Sequence, residues 1–245
     1  MKNLKFLVAA AMVMASTTAF AQFANSGNNS SSEDIVKSYD RVAVSYNSYK
    51  FAVDVKGADD ITLNGIGAEW IHGFSLSSTS PLYLETGLKF MYGFKSDEES
   101  YVDEDDHYII TETTTTKYKT MNLSVPINIA YRFTFSGNSN LAITPFTGIT
   151  LKGNLSMKEK VEFESEEYII YYDEYAYDSE KTETDWFDKK DVGKDTANRF
   201  QFGWQIGAGL SYKALYVGLS YGLDFNEFSK KVKTSNFAVT LGYNF

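Results

Sequence analysis

The sequence has no cysteine, so a disulfide framework, a thiolate metal site, a cysteine nucleophile and a lipidated cysteine anchor are all excluded. Only 3 prolines and two histidines, His72 and His107, occur in 245 residues. Scarce proline permits long uninterrupted strands, and scarce histidine leaves few general bases for catalysis near neutral pH. Basic excess is also missing. Lys plus Arg number 23 against 32 acids, a net charge of −9, and no basic stripe is visible, so nucleic-acid binding drops out. After residue 21 no apolar run approaches the roughly 20 residues of a membrane helix. What is plentiful is aromatic surface: 18 Tyr and 18 Phe, residues suited to strands and to membrane–water interfaces.

Residues 1–21 read as a signal peptide. Lys2 and Lys5 form a positive start, Phe6 to Ala15 an apolar stretch, and Ala19-Phe20-Ala21 a small-x-small site, with cleavage expected before Gln22. Residues 22–39 are Ser/Asn-rich without periodicity and read as a flexible leader. From there the pattern is strand-like. In 199–212, Phe200, Phe202, Trp204, Ile206, Ala208, Leu210 and Tyr212 alternate with Arg199, Gln201, Gly203, Gln205, Gly207, Gly209 and Ser211. Period-2 alternation marks a strand with two different environments. Segments 82–94, 122–133, 215–226 and 236–245 repeat it, and 47–56, 64–75 and 141–155 do so with more noise, giving eight strands, with ten as the alternative count.

Most of these segments run about 10–14 residues, which suits a tilted membrane crossing better than a soluble sheet. Their non-apolar faces are rich in Gly, Ser, Asn and Gln, as the crowded interior of a narrow barrel requires. Connection lengths alternate. Residues 75–81, 135–140 and 213–214 are short, 95–117 and 156–198 long, 57–63 and 227–233 intermediate. With the N-terminus periplasmic, both long segments fall outside the cell and all three short turns fall inside, the asymmetry of bacterial outer-membrane barrels. The expected fold is all-β: an antiparallel up-and-down transmembrane barrel over residues 40–245, most simply eight-stranded.

The signal peptide, the eight alternating strands and the terminal series Phe237, Val239, Leu241, Tyr243, Phe245 resemble a PorT-like outer-membrane β-barrel and, more distantly, the OmpA/OmpX-type eight-stranded barrels. The resemblance covers about residues 40–245 and rests on pattern. It implies location in the outer membrane of a Gram-negative bacterium, contact with outer-membrane lipid, and recognition by the barrel assembly machinery through an ending similar to its assembly signal. No peptidoglycan-binding domain of the OmpA kind and no plug domain is expected.

With the apolar face toward lipid, the charges in phase with the interior are Lys50, Asp54, Glu69, Glu85, Lys89, Arg132, Lys152, Arg199 and Asp224. Four acids against five bases suit a paired network filling the lumen, since an unpaired charge there costs several kcal/mol. A conducting filter would more often carry one sign. The negative charge is concentrated in the long connections: residues 95–119 carry eight acids against three Lys, and 156–198 fourteen against six. Tyr108 to Thr116, Val161 to Glu164 and Tyr168 to Tyr172 have high strand propensity, so central strands are expected to continue past the membrane as a projecting sheet whose edge can pair with a partner strand. The bland alternative is a solvated acidic loop. The Asp103 to Asp106 cluster offers carboxylates to divalent cations, but its spacing matches no EF-hand.

Catalysis has little foothold. His72 is in phase with Trp70 and Phe74, as an interfacial aromatic belt would place it. His107 follows two acids in a long connection without a nucleophile motif, and Gly65-x-Gly67 and Gly207-x-Gly209 read as close packing rather than phosphate loops. The sequence therefore reads as a monomeric non-enzymatic barrel without cofactor or metal, acting through acidic loops 95–117 and 156–198 on a surface protein partner in envelope structure, adhesion or complex assembly. A passive small-solute pore, and an enzyme acting on lipid or peptide, are the alternatives.

Overall fold

A computed structural model describes residues 37–105, 107–135, 138–169 and 173–245. The signal peptide and nearly all of the leader lie outside these residues. Among them the chain forms β1 (Tyr39–Val53), β2 (Ile61–Ser75), β3 (Leu82–Glu104), β4 (Tyr108–Tyr131), β5 (Phe133–Phe135), β6 (Asn138–Ile169), β7 (Glu174–Asp185), β8 (Phe200–Tyr212), β9 (Leu215–Asp224) and β10 (Val232–Asn244), with one helical turn, α1 (Lys189–Val192).

Antiparallel pairing runs β1-β2-β3-β4-β6-β8-β9-β10 and returns to β1. The ring is therefore an eight-stranded closed barrel. The other two strands lie outside it: β5 is a three-residue piece at the β4–β6 turn, and β7 pairs only with the outer part of β6. The closing seam matches Arg41↔Asn244 through Val53↔Val232. Beyond it, Asp40 and Phe245 exchange backbone hydrogen bonds of 2.9 Å each. With no sheet edge left, the ring exposes no open row of N–H and C=O groups, which a lipid environment demands.

The faces sort as the alternation requires. In β8, Phe200, Phe202, Trp204, Ile206 and Leu210 are exposed on the outside, while Gln201, Gly203, Gln205, Gly209 and Ser211 are buried inside. Phe237, Val239, Leu241 and Tyr243 likewise point outward. The bore is narrow enough to constrain residue size. The Tyr216 ring points inward between Gly209 and Gly218, where a Cβ would come within 2.1 Å and 2.6 Å of it. The connections split by end: Lys213 (φ 53) and Ala214 alone join β8 to β9, while at the opposite end β3 and β4 continue to a tip at residues 105–107.

Several boundaries differ from the alternating segments: β3 runs on to Glu104, β4 begins at Tyr108 and β10 at Val232. β1 begins eight residues earlier than the 47–56 segment, because Asp40 and Arg41 interrupt the apolar signal. β6 runs on to Ile169, as the strand propensity of 161–164 and 168–172 leads one to expect, and it carries a bulge: Asn122 faces Asn154 and Met121 faces Ser156, leaving Leu155 unpaired. An extra residue flips the alternation, so Lys152 and Asn154 point inward below it and Met157 inward above it.

The lipid-facing phase is testable at β9, where Leu219 is 52% exposed on the outer face. Leu219→Arg should cost about 2–4 kcal/mol in bilayer unfolding titrations if it lies near the midplane. Ser220→Arg, on the opposite face, should show a steric penalty instead. Equal and negligible effects at both would mean that the faces are exchanged.

Candidate functional site: the barrel lumen and the projecting sheet

Six charged side chains meet inside the barrel in two clusters. The first, toward the short-turn end, centres on Arg41. Its Nη1 lies 3.1 Å from Glu85 Oε1 and its Nε 3.8 Å from Glu69 Oε1, and its guanidinium stands 4.1 Å from the Tyr216 ring centre. Lys89 Nζ lies 3.1 Å from Glu69 Oε2, and the Tyr39 hydroxyl donates to Glu85. The second cluster pairs Lys152 with Asp224. Lys152 also donates to the Tyr49 hydroxyl at 2.9 Å, and Thr234 donates to the same Asp224 oxygen. Gln201 donates to Thr234 at 2.8 Å and accepts from Asn154 at 2.9 Å. Three bases thus face three acids. Between the clusters lies a polar cavity of about 70 Å³ bordered by Glu69, Lys89, Ser124, Lys152 and Gln205, enough for a few waters.

Above the second cluster the lumen is apolar. Inward Tyr49, Phe51, Leu63, Met91 and Met157 pack with Ala197 and Phe228 from the connections, and Trp186 and Phe187 lie against them. Phe51 and Phe228 meet edge to face at 5.1 Å. The returning chain is tied down: Trp186 N–H donates to Met157 O at 3.1 Å, Trp186 Nε1 to Glu159 at 3.2 Å, and Asn198 N–H to Phe228 O at 2.6 Å. The long connection therefore folds across the mouth as a cap.

Of the nine charges assigned to the interior from sequence, Glu69, Glu85, Lys89, Lys152 and Asp224 are brought together. Three are placed elsewhere, and Arg132 stands apart from both clusters near inward Tyr83. Lys50 points outward at the rim, 2.7 Å from Asp60, because its neighbours Tyr49 and Phe51 turn inward to build the cap. Asp54 follows the end of β1 and is exposed. Arg132 follows the end of β4, half-buried at the short-turn mouth, with its N–H on Pro81 O at 2.9 Å. Arg199 precedes β8, is exposed, and stacks 4.4 Å above the Phe187 ring on the cap. The hub, Arg41, escaped the sequence reading. The signal was present: Arg41, Ala43, Ser45 and Asn47 alternate with Val42, Val44 and Tyr46, but a charge at the strand start hid it.

At the long-connection end, β3, β4, β6 and β7 leave the ring as a four-stranded sheet. Its outward face is read from register: Glu104–Ile109–Tyr168–Tyr175 near the tip, Val102–Thr111–Glu166–Tyr177 next, then Ser100–Thr113–Glu164–Ser179 and Glu98–Thr115–Glu162–Lys181. Glu162 accepts from Lys117 at 2.5 Å and Lys160 at 2.6 Å, with Lys181 at 3.5 Å. The hydrogen bonds from Lys117 and Lys160 pull its carboxyl down to about 2. His107 is exposed at the β3–β4 tip; its neighbour Asp106 lies outside the described residues. Among the described residues no group of three or more His, Cys, Asp or Glu is arranged to hold a metal ion. At the other end, outward Trp70 and His72 share Asp40 Oδ1 at 3.1 and 2.9 Å, and His72 packs on Phe74 at 4.3 Å.

The profile of the outer membrane protein beta-barrel domain matches residues 7–245. This chain belongs to that family. No curated protein sequence matches it. Similar solved structures include Ail, the attachment invasion locus protein of Yersinia pestis, with sucrose octasulfate, at 11% identity over 85% of this chain and 99% of that one, TM-score 0.40. Neisserial surface protein A follows at 9% identity over 84% and 95%, TM-score 0.38. The N-terminal barrel domain of Pseudomonas aeruginosa OprF stands at 12% over 84% and 97%, TM-score 0.28.

Two outcomes test this site. Lys152→Met strands Asp224 in the lumen and should cost about 3–5 kcal/mol, while adding Asp224→Asn should recover part of the loss; denaturant titration in bilayers reads both. Separately, the Glu162 carboxyl should titrate with a midpoint near 2 by NMR. Because that value is depressed, the stability it contributes is fully present above the ordinary carboxylate value of ~4.3 and lost only as pH falls toward the lowered one. A midpoint at the ordinary value would show that the lysines do not hold it.

Proposed function

We propose that this outer-membrane barrel is a non-enzymatic surface protein with a filled lumen, acting through its projecting acidic sheet in envelope structure, adhesion or complex assembly. The observation that carries the reading is the four-stranded sheet, which continues directly from barrel strands at one end, while among the described residues the connections at the other end are short turns. That asymmetry favours placing the sheet outside the cell. Both long segments named from sequence, 95–117 and 156–198, contribute to it. The outer edge of β7 has no partner strand among the described residues, and an unpaired strand edge is a template for β-pairing with another protein. Within the family, the terminal series ending at Phe245 favours PorT-like barrels, with recognition by the barrel assembly machinery, and the protein works as a monomer.

The cap and the paired charges favour a filled lumen over a pore. The polar cavity of about 70 Å³ is the one feature that favours the pore reading. Planar-bilayer recordings of refolded protein decide between them: we expect no stable large conductance, and its appearance would establish the pore. An epitope tag near Asp178 should bind antibody on intact cells, and one at Asn138 should require permeabilisation. The reverse pattern would invert the topology and remove the surface role.

A further inference from the structure

Two rungs of the projecting sheet break the rule that like charges avoid each other across a ladder. Lys119 stands directly opposite Lys158, and Lys117 directly opposite Lys160. Such pairs sit about 5 Å apart at Cβ and are destabilising. All four side chains lie on the outward face, since Thr120 and Met157 on the same strands are buried inside. The adjoining carboxylates on β7 are Asp185 and Glu183. Glu183 takes Lys158, and Glu162, one rung up, takes Lys117 and Lys160. Lys119 makes no ion pair within 4 Å among the described residues, although its charge helps hold the Glu183 carboxyl below the usual range. The four rungs toward the tip have the opposite balance: Glu98, Glu104, Glu162, Glu164 and Glu166 against Lys181. Apart from Lys181, the lysines of this face stand on the two rungs nearest the barrel.

What lies below those rungs is apolar and outward. Phe94 pairs with Lys119 on the neighbouring strand and is exposed, and Leu155, Leu123 and Leu151 follow on β6 and β4, all exposed. The lysines therefore stand where the lipid-facing band ends. Rungs on one face repeat every two residues, about 7 Å, so four ammonium groups frame an area on the scale of one or two phosphates. Each can serve as a point-charge donor to phosphate oxygens.

We propose that Lys117, Lys119, Lys158 and Lys160 form a binding site for the phosphate groups of a phosphorylated glycolipid in the leaflet at the long-connection end, with its acyl chains along Phe94, Leu155 and Leu123. Glu162 and Glu183 already pair Lys117, Lys160 and Lys158 within the sheet, so the anion adds to that compensation and supplies Lys119 with a close counter-ion. The apolar strip below selects a lipid over a free phosphate. The assignment rests on the proposed topology, which makes this leaflet the outer one.

The full-length mature protein, refolded into phosphatidylcholine nanodiscs doped with bisphosphorylated lipid A, should retain one such lipid through native mass spectrometry. Replacing all four lysines by Gln should reduce retention at least about tenfold, while the four-Arg variant retains it and Lys189→Gln/Lys190→Gln leaves it unchanged. Heat-modifiable migration on gels checks that each variant is folded. Equal retention of dephosphorylated lipid A, or undiminished retention by the folded four-Gln variant, overturns the site. Complete displacement by millimolar inorganic phosphate overturns its assignment to a lipid. The tags near Asp178 and at Asn138 report separately: an inverted pattern with lipid retained sinks the topology and leaves the site standing, and the expected pattern with lipid lost sinks the site alone.

Discussion

Closure of the ring is the constraint from which the rest follows. A strand in hydrocarbon has no water to satisfy its backbone, so a membrane sheet must end on itself. Here the first and last barrel strands pair along their whole length, from Arg41↔Asn244 to Val53↔Val232. Eight strands close on a bore only wide enough for side chains. That bore dictates the composition of the inner face. A ring the size of Tyr216 fits because Gly209 and Gly218 lie against it, and Phe146 reaches toward Gly207 in the same way. The many Gly, Ser, Asn and Gln that alternate with aromatics along the chain are the consequence of that geometry.

The same closure makes charge in the lumen a matter of pairing. A carboxylate or ammonium far from bulk water is tolerable only beside an opposite charge and hydrogen bonds. Arg41 joins two acids on two different strands, Glu69 on β2 and Glu85 on β3, and Glu69 is shared with Lys89. Lys152 and Asp224 bridge β6 and β9. These contacts cross the bore as well as following the ladder, so they fix neighbouring parts of the wall against one another. The apolar cap serves the upper lumen differently: there the interior is filled by Phe51, Met157 and Phe228, and burial replaces pairing.

Legibility in the sequence followed the environment of each face. The interiors of β8, β9 and β10 are the most legible because lipid demands apolar side chains on one face and the bore demands small or polar ones on the other. Where either demand lapses, so does the signal. At the rim of β1 the inward face is itself apolar, with Tyr49 and Phe51, so reading apolar as lipid-facing put Lys50 and Asp54 on the wrong side. Arg199 was carried along the phase of β8 although the strand begins one residue later. In β6 the bulge at Leu155 reverses the parity, and no period-2 argument made below it extends above. Arg41 went unseen because a buried, fully paired arginine at a strand start looks like a solvated end until its partners on other strands are known.

The projecting sheet inherits its rigidity from the barrel. β3 and β4 pass from the apolar band into the sheet with a continuous ladder between them, and β6 follows through a single bulge at Leu155. A loop of the same composition would screen its own charge by moving. A sheet cannot, so its order of charge along the strand is fixed in space: lysine rungs nearest the apolar band, carboxylates above them, tyrosines and Ile109 at the tip. That ordering explains how a strongly acidic chain can sit beside a phosphate-bearing leaflet on the proposed topology. Most of the negative charge is held away from the lipid by the length of the strands, and the two rungs nearest it carry four lysines against Asp185 and Glu183. Moving the acids down the sheet by two rungs would leave the net charge unchanged and set like against like at the membrane surface. On that topology, what the membrane surface meets is set by the position of the charge along the strand rather than by its sum.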